Sequence, residues 1–105
     1  MFARVSQAQY PPEHHDSGLR VIVENLLPAL RRTPGYRGCC LLAGSKPGTG
    51  LAVVLWETEE DADAASADRE VSAANARIAA LGLTFVSRQL YEVLIDDVGA
   101  RGRIG

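Results

Sequence analysis

Residues 51–56 (LAVVLW) are apolar at every position, and this constrains the fold more than any other stretch of the chain. Successive side chains of a strand point to opposite faces, so a strand apolar on both faces has to be covered on both. A second short apolar run, Tyr36–Ala43 (YRGCCLLA), precedes it, and the turn-forming GSKPGTG lies between them. The two runs, residues 36–43 and 51–57, read as a β-hairpin. A chain of 105 residues makes one small domain and has no material for a second covering layer.

The remaining elements follow from periodicity. Phe2–Gln9 (FARVSQAQ) reads as a first strand, ended by Tyr10, Pro11 and Pro12, because consecutive prolines cannot donate to a sheet ladder. A loop with Glu13, His14 and His15 is expected next. Asp16 or Ser17 then caps a helix whose apolar positions Leu19, Ile22, Val23, Leu26, Leu27 and Leu30 recur at spacings of three and four. Pro28 inside it predicts a kink or local break, and Thr33, Pro34 and Gly35 stop it. Thr58 with Asp61 forms a capping box for a second, alanine-rich helix with the stripe Ala64, Ala67, Val71, Ala74, Ile78 and Leu81. A break near Asp68 is compatible with this pattern, and Gly82 ends it. Residues 84–96 read as the last strand.

The order βαββαβ predicts an α+β, ferredoxin-like domain: a four-stranded antiparallel sheet of order 4-1-3-2 with two helices on one face. The domain is expected over residues 1–98, with a flexible Gly/Arg tail over 99–105. The helix-free face needs a cover, and the simplest is a second copy of the chain, so a homodimer through the sheet face is expected.

Charge and cysteines narrow the partners. With 11 basic against 13 acidic residues and a formal net charge of -2, the chain has no excess positive charge for nucleic acid. Its apolar runs are far shorter than a membrane span, and no signal-peptide pattern opens it, so no membrane partner and a cytoplasmic location are expected. Cys39 and Cys40 are adjacent, which in a strand carries their thiols to opposite faces, and no zinc-type spacing exists. Two reduced thiols and no metal are expected.

Two motifs carry a resemblance: Thr33-Pro34-Gly35-Tyr36-Arg37-Gly38 before the second strand, and Leu55-Trp56-Glu57-Thr58-Glu59-Glu60 after the third. By these, and by element order over residues 2–98, the chain resembles the dimeric α/β-barrel proteins, specifically the antibiotic biosynthesis monooxygenase-like domains. The resemblance implies a cavity between sheet and helices in which a small aromatic or polycyclic substrate is oxidised with neither metal nor flavin. Once deprotonated, such a substrate is electron-rich enough to react with dioxygen itself. The protein then supplies shape, hydrogen bonds and exclusion of water.

Carried over residue by residue, the family's strand tryptophan falls on Trp56. Its asparagine four residues earlier falls on Ala52, and its tyrosine six residues later on Ala62. The helix arginine has no secure match, with Asn75 and Arg77 nearby. Trp56, Asn75 and Arg77 are therefore the candidate catalytic residues, with no cofactor-binding and no metal-binding residue. The haem-degrading branch matches worse, its tryptophan falling on Ala65, its ligating histidine near Ala74 and its first-strand asparagine near Ser6. Haem degradation is disfavoured.

Each candidate also has a plain structural reading. Trp56 can be a buried ring closing the end of the core instead of a cavity wall. His14 and His15 read as solvated loop residues at the end of the sheet opposite Trp56. Arg4, Gln7 and Arg88 suit ion pairs or an interface, Tyr36 and Tyr91 suit core or interface, and the acids between Glu57 and Glu70 suit an outer helix face. Three functions remain: a cofactor-independent monooxygenase-like enzyme, a non-catalytic small-molecule-binding or accessory barrel, and a purely structural dimer. Elemental analysis of protein purified without added metal is expected to find no stoichiometric zinc, iron or copper; finding one would return attention to His14, His15 and the acidic segment.

Overall fold

Strand β1 (Phe2–Gln9) holds the sheet together because it is hydrogen-bonded on both sides. The computed structural model describes residues 1–97 and contains a four-stranded antiparallel sheet in the order β2-β3-β1-β4, the expected 4-1-3-2 read from the other edge. The other strands are β2 (Tyr36–Ala43), β3 (Thr49–Trp56) and β4 (Thr84–Glu92). β1 faces β3 from Phe2 opposite Trp56 to Gln9 opposite Thr49, and β4 from Phe2 opposite Glu92 to Gln9 opposite Thr84. The expected tail, 99–105, and the last residue of the expected domain, Val98, lie outside the described residues.

Two strand boundaries differ from expectation. β3 starts at Thr49, inside the predicted turn, because Gly44 N–H donates to the Thr49 carbonyl at 2.9 Å and extends the hairpin. β4 ends at Glu92 and not at residue 96. Its partner β1 begins at Phe2, so after Val93 N–H donates to the Met1 carbonyl at 2.9 Å there is no further strand to pair with among the described residues. Leu94 and Ile95 beyond that point are exposed.

The first helical path begins earlier than predicted. Pro12–His14 forms a 3-10 turn, followed by α1 (His15–Val21), a π-helical segment (Ile22–Leu26) and α2 (Leu27–Arg31). Among the described residues no side chain caps α1, so Asp16 and Ser17 do not play the part expected of them. The disturbance expected at Pro28 takes the form of the π segment. Pro28 has no N–H, and its ring would press on the Glu24 carbonyl in a regular α-helix. One inserted residue widens the turn, with Leu27 N–H donating to the Ile22 carbonyl, and the path continues unbroken.

The second helix divides at Ala67–Asp68 into α3 (Glu59–Ser66) and α4 (Arg69–Ala80). Each half carries its own cap. Thr58 Oγ1 accepts from Asp61 N–H at 3.1 Å, and Asp68 Oδ1 accepts from Glu70 N–H at 2.9 Å and Val71 N–H at 3.0 Å. The break resets the helical phase. Ala62 and Ala65 are therefore buried in α3 in place of the predicted Ala64 and Ala67, while Val71, Ala74 and Ile78 are buried in α4 as the stripe requires.

The helices cover the face carrying Arg4, Val54 and Trp56, where Arg4 reaches Asp63 of α3 at 3.2 Å. Trp56, 3% exposed, packs with Ala29, Leu30, Ala62, Ala65 and Val71 at the sheet end where β1 begins. Tyr36 meets its ring edge-on, with centroids 5.8 Å apart. On the opposite, helix-free face, β2 and β3 present Cys40, Leu42, Leu51, Val53 and Leu55, joined by Val5 of β1 and Tyr91 of β4. Leu42 and Tyr91 there are about half exposed. Asp68→Ala, which removes two hydrogen bonds from the α4 N-terminus, is expected to lower stability by about 1 kcal/mol in urea unfolding while leaving the fold intact.

Candidate functional site

The sheet–helix interface is filled unequally along its length. At the Trp56 end a large ring meets alanines; at the other, the sheet floor consists of Ala8, Gly50 and Ala52, which leave room. A cavity of about 300 Å³ occupies that space, walled by Gly18, Leu19, Ile22 and Leu26 on the first helical path, Asn75 and Ile78 on α4, and Phe85 on β4. The π segment shapes one wall, since Ile22 and Leu26 are its first and last residues. Phe85 is itself backed by the Arg88 guanidinium, 4.7 Å from the ring centroid. Burial beside Arg4 pulls the Arg88 pKa below its ordinary value.

Among the described residues, four side chains with polar groups line this otherwise apolar space: Tyr10, His14, His15 and Asn75. The Tyr10 hydroxyl lies 3.0 Å from His15 Nδ1, and the two rings stack at a tilt with centroids 5.8 Å apart. Tyr10 is held by the β2–β3 turn, donating its N–H to the Gly48 carbonyl at 2.9 Å. Gly48 sits at φ +80°, and a Cβ there would stand 2.6 Å from the Tyr10 carbonyl oxygen. Only glycine lets the turn approach this closely without strain.

The structure separates the residues singled out from sequence. Asn75 is half-buried and lines the cavity, whereas Arg77 is exposed and Trp56 belongs to the core; neither of these is among the cavity residues. Trp56 pairs with Phe2 and the cavity end of β1 with Thr49, a separation of about 20 Å along the strand. The two alanines at family positions part company too: Ala52 forms the cavity floor, and Ala62 packs in the core. His14 and His15 do lie at the end of the sheet opposite Trp56, yet they are half-buried on the cavity and do not stand in an open loop. The Pro11–Pro12 pair turns the chain sharply into helix instead of an open loop, which folds His15 back against Tyr10. The available signal was the spacing of Tyr10 and His15 across that rigid pair.

Cysteine chemistry lies elsewhere. Cys39 pairs with Val54 and Cys40 with Val53, so adjacent thiols face opposite sides of β2, and both are free. Burial pushes the Cys39 thiol above its ordinary pKa, with Cys40 adding to the effect, so it is a poor nucleophile near neutral pH. Burial likewise raises the Tyr36 hydroxyl. Among the described residues no group of three His, Cys, Asp or Glu side chains could hold a metal ion, and no helix is long and apolar enough to cross a membrane.

The sequence matches no protein-family model and no curated protein. Solved structures do match. A candidate antibiotic biosynthesis monooxygenase from Deinococcus radiodurans superposes with a TM-score of 0.75 at 20% identity, covering 91% of this chain and 95% of that one. The fold here is that of the antibiotic biosynthesis monooxygenase structures. SnoaB, a cofactor-independent oxygenase from Streptomyces nogalater, shares this monooxygenase fold with a TM-score of 0.72 at 17% identity, over 90% of this chain and 94% of its own. A further antibiotic biosynthesis monooxygenase structure gives 0.72 at 18% identity, over 90% of this chain and all (100%) of that one.

Gly18 marks where the cavity meets α1. A Cβ there would meet no atom within 4 Å, so neither packing nor backbone geometry demands glycine. Gly18→Ala is therefore expected to raise stability by up to about 1 kcal/mol, through helix propensity alone. Gly18→Leu, filling the same space, is expected to keep the fold and abolish fluorescence enhancement of 1-aminoanthracene; undiminished enhancement would place that dye outside the cavity.

Proposed function

We propose that the protein is a cofactor-independent monooxygenase-like enzyme that takes a small aromatic molecule into the cavity between sheet and helices. The observation that carries this reading is the cavity itself: about 300 Å³, apolar on its walls, with polar groups confined to Tyr10, His14, His15 and Asn75 among the described residues. A flat aromatic body fits such walls, and the polar groups orient it. The likeness to SnoaB supports an oxygenase chemistry that draws on the substrate's own electrons. A methylene flanked by aromatic rings would lose both hydrogens and gain one oxygen atom of dioxygen, becoming a ketone, while the other oxygen atom leaves with those hydrogens as water. Every electron needed to reduce the dioxygen comes from the substrate, so no external donor is required. The protein's part is to accept a proton, hold the anion and keep water away. Asn75, on the cavity, is retained as a site residue; Trp56 serves the fold as a core ring, and exposed Arg77 is given no part in this reading.

Ala52 on the cavity floor favours the second reading, a non-catalytic small-molecule-binding barrel, because it supplies no polar group where the resemblance implies asparagine. Oxygen consumption separates the two. With anthrone as substrate and a buffer control for autoxidation, uptake above the control is expected without added flavin or metal, and Asn75→Ala is expected to reduce it at least severalfold. No uptake with any of a panel of anthrones and hydroquinones that do bind would favour the binding barrel.

A second copy of the chain covers the helix-free face in this proposal. Val5, Val53 and Leu55, flanked by Leu42, Leu51 and Tyr91, form an apolar surface of the kind that stable dimers bury. Light scattering is expected to give about twice the chain mass of 11.2 kDa, and Val53→Asp to return the monomer. A wild-type monomer at micromolar concentration would overturn the dimer.

A further inference from the structure

We propose that His15, oriented by Tyr10, is the proton-accepting group of the cavity, so that the molecule bound there is an apolar one carrying a hydroxyl acidic enough to give up its proton. This rests on the reading that the cavity takes a ligand, and goes beyond it by naming the base and the group it acts on.

Elimination and geometry both lead to His15. Among the described residues that line the cavity, Tyr10, His14 and His15 are the only titratable ones, and no carboxylate, lysine or arginine joins them. Glu13 and Asp16, which flank the histidines in sequence, are exposed. Asn75 can donate and accept hydrogen bonds but cannot take a proton near neutral pH. His15 is the histidine with a ring partner, the Tyr10 hydroxyl 3.0 Å from Nδ1. In the proposed tautomer Nδ1–H donates to the Tyr10 oxygen, and the neutral imidazole keeps its lone pair on Nε2.

The step is a proton transfer alone. The ligand O–H bond breaks, a bond from that hydrogen to Nε2 forms, and the ligand oxygen keeps the electron pair. Nδ1–H continues to donate to Tyr10 throughout, so the hydroxyl orients the ring without taking the proton. The resulting oxyanion and imidazolium arise side by side, which apolar walls favour over charges formed apart. Tyr10 is a positioning residue. Its own place is set by the Gly48 turn, so the base is anchored from the sheet and presented from the helix.

The test uses 4-nitrophenol, whose anion is read by absorbance, and 4-nitroanisole, the same shape without the acidic proton. Both are expected to bind, and the bound phenol to ionise with an apparent pKa lowered by about one unit, a tenfold shift in its equilibrium. His15→Gln is expected to abolish that shift while 4-nitroanisole binding stays within about twofold. Tyr10→Phe should give a smaller shift than wild type, and Glu13→Gln, at an exposed position outside the cavity, an unchanged one. If both probes bind but the shift is absent, or persists in His15→Gln, the assignment of the base is overturned and the cavity reading stands. Should His15→Gln fail to fold, Tyr10→Phe decides, and a full shift there overturns the pair. If neither probe binds, the cavity reading fails and the inference with it.

Discussion

The two ends of β1 carry side chains of very different size between sheet and helices, and the rest of the molecule is arranged around that inequality. At the Phe2 end, Trp56 fills the interface and the facing helices answer with Ala29, Ala62 and Ala65, allowing their backbones to come close. At the Gln9 end the floor is Ala8, Gly50 and Ala52, and the large ring there, Phe85 of β4, stands as a cavity wall and leaves the space open. The cavity is thus the counterpart of a tightly packed core at the other end of the same strands.

Prolines shape the helical side of the cavity. Pro11 and Pro12 send the chain from the end of β1 straight into a helical turn, which sets His15 against Tyr10. Pro28 acts at a distance of one turn, forcing the π segment that presents Ile22 and Leu26 to the cavity. A backbone widening that would be a defect in an isolated helix here forms part of a wall.

The helix-free face poses the problem that the apolar strand posed at the outset. Val53 and Leu55 are half-buried by their neighbours within the sheet, and Leu42 and Tyr91 stand about half exposed at its edges. The same strand therefore links the cavity and the helix-free face: Ala52 and Val54 serve the helix side, Val53 and Leu55 the open side. Substitution on one side leaves the side chains of the other in place, which is why the two properties can be tested separately.

Much of the fold was legible in the sequence because its signals are local. The strands Phe2–Gln9 and Tyr36–Ala43, the Thr58 cap and the burial of Val71, Ala74 and Ile78 each follow from a pattern within a few residues, and their order dictates the sheet. The helical phase of α3 was not legible, because it depends on where the Ala67–Asp68 break falls, nor was the end of β4, which depends on its partner running out at Met1. The candidate site divides in the same way. Asn75 and Arg77, just off the helix stripe, could each face cavity or water by position alone, and only the packed structure puts Asn75 on the cavity and leaves Arg77 exposed. Trp56 could not be assigned to core or cavity, since a large ring suits both and only the packing of Ala62, Ala65 and Leu30 around it decides. Tyr10 and His15 were hidden for a related reason: their meeting is created by a turn of backbone geometry, not by composition. The sequence by itself determined the order and pairing of the elements and, outside α3, their faces, which short-range periodicity encodes. Only the tertiary structure decided which end of the sheet is full and which is hollow, because that depends on side-chain volumes from distant segments summed at one place.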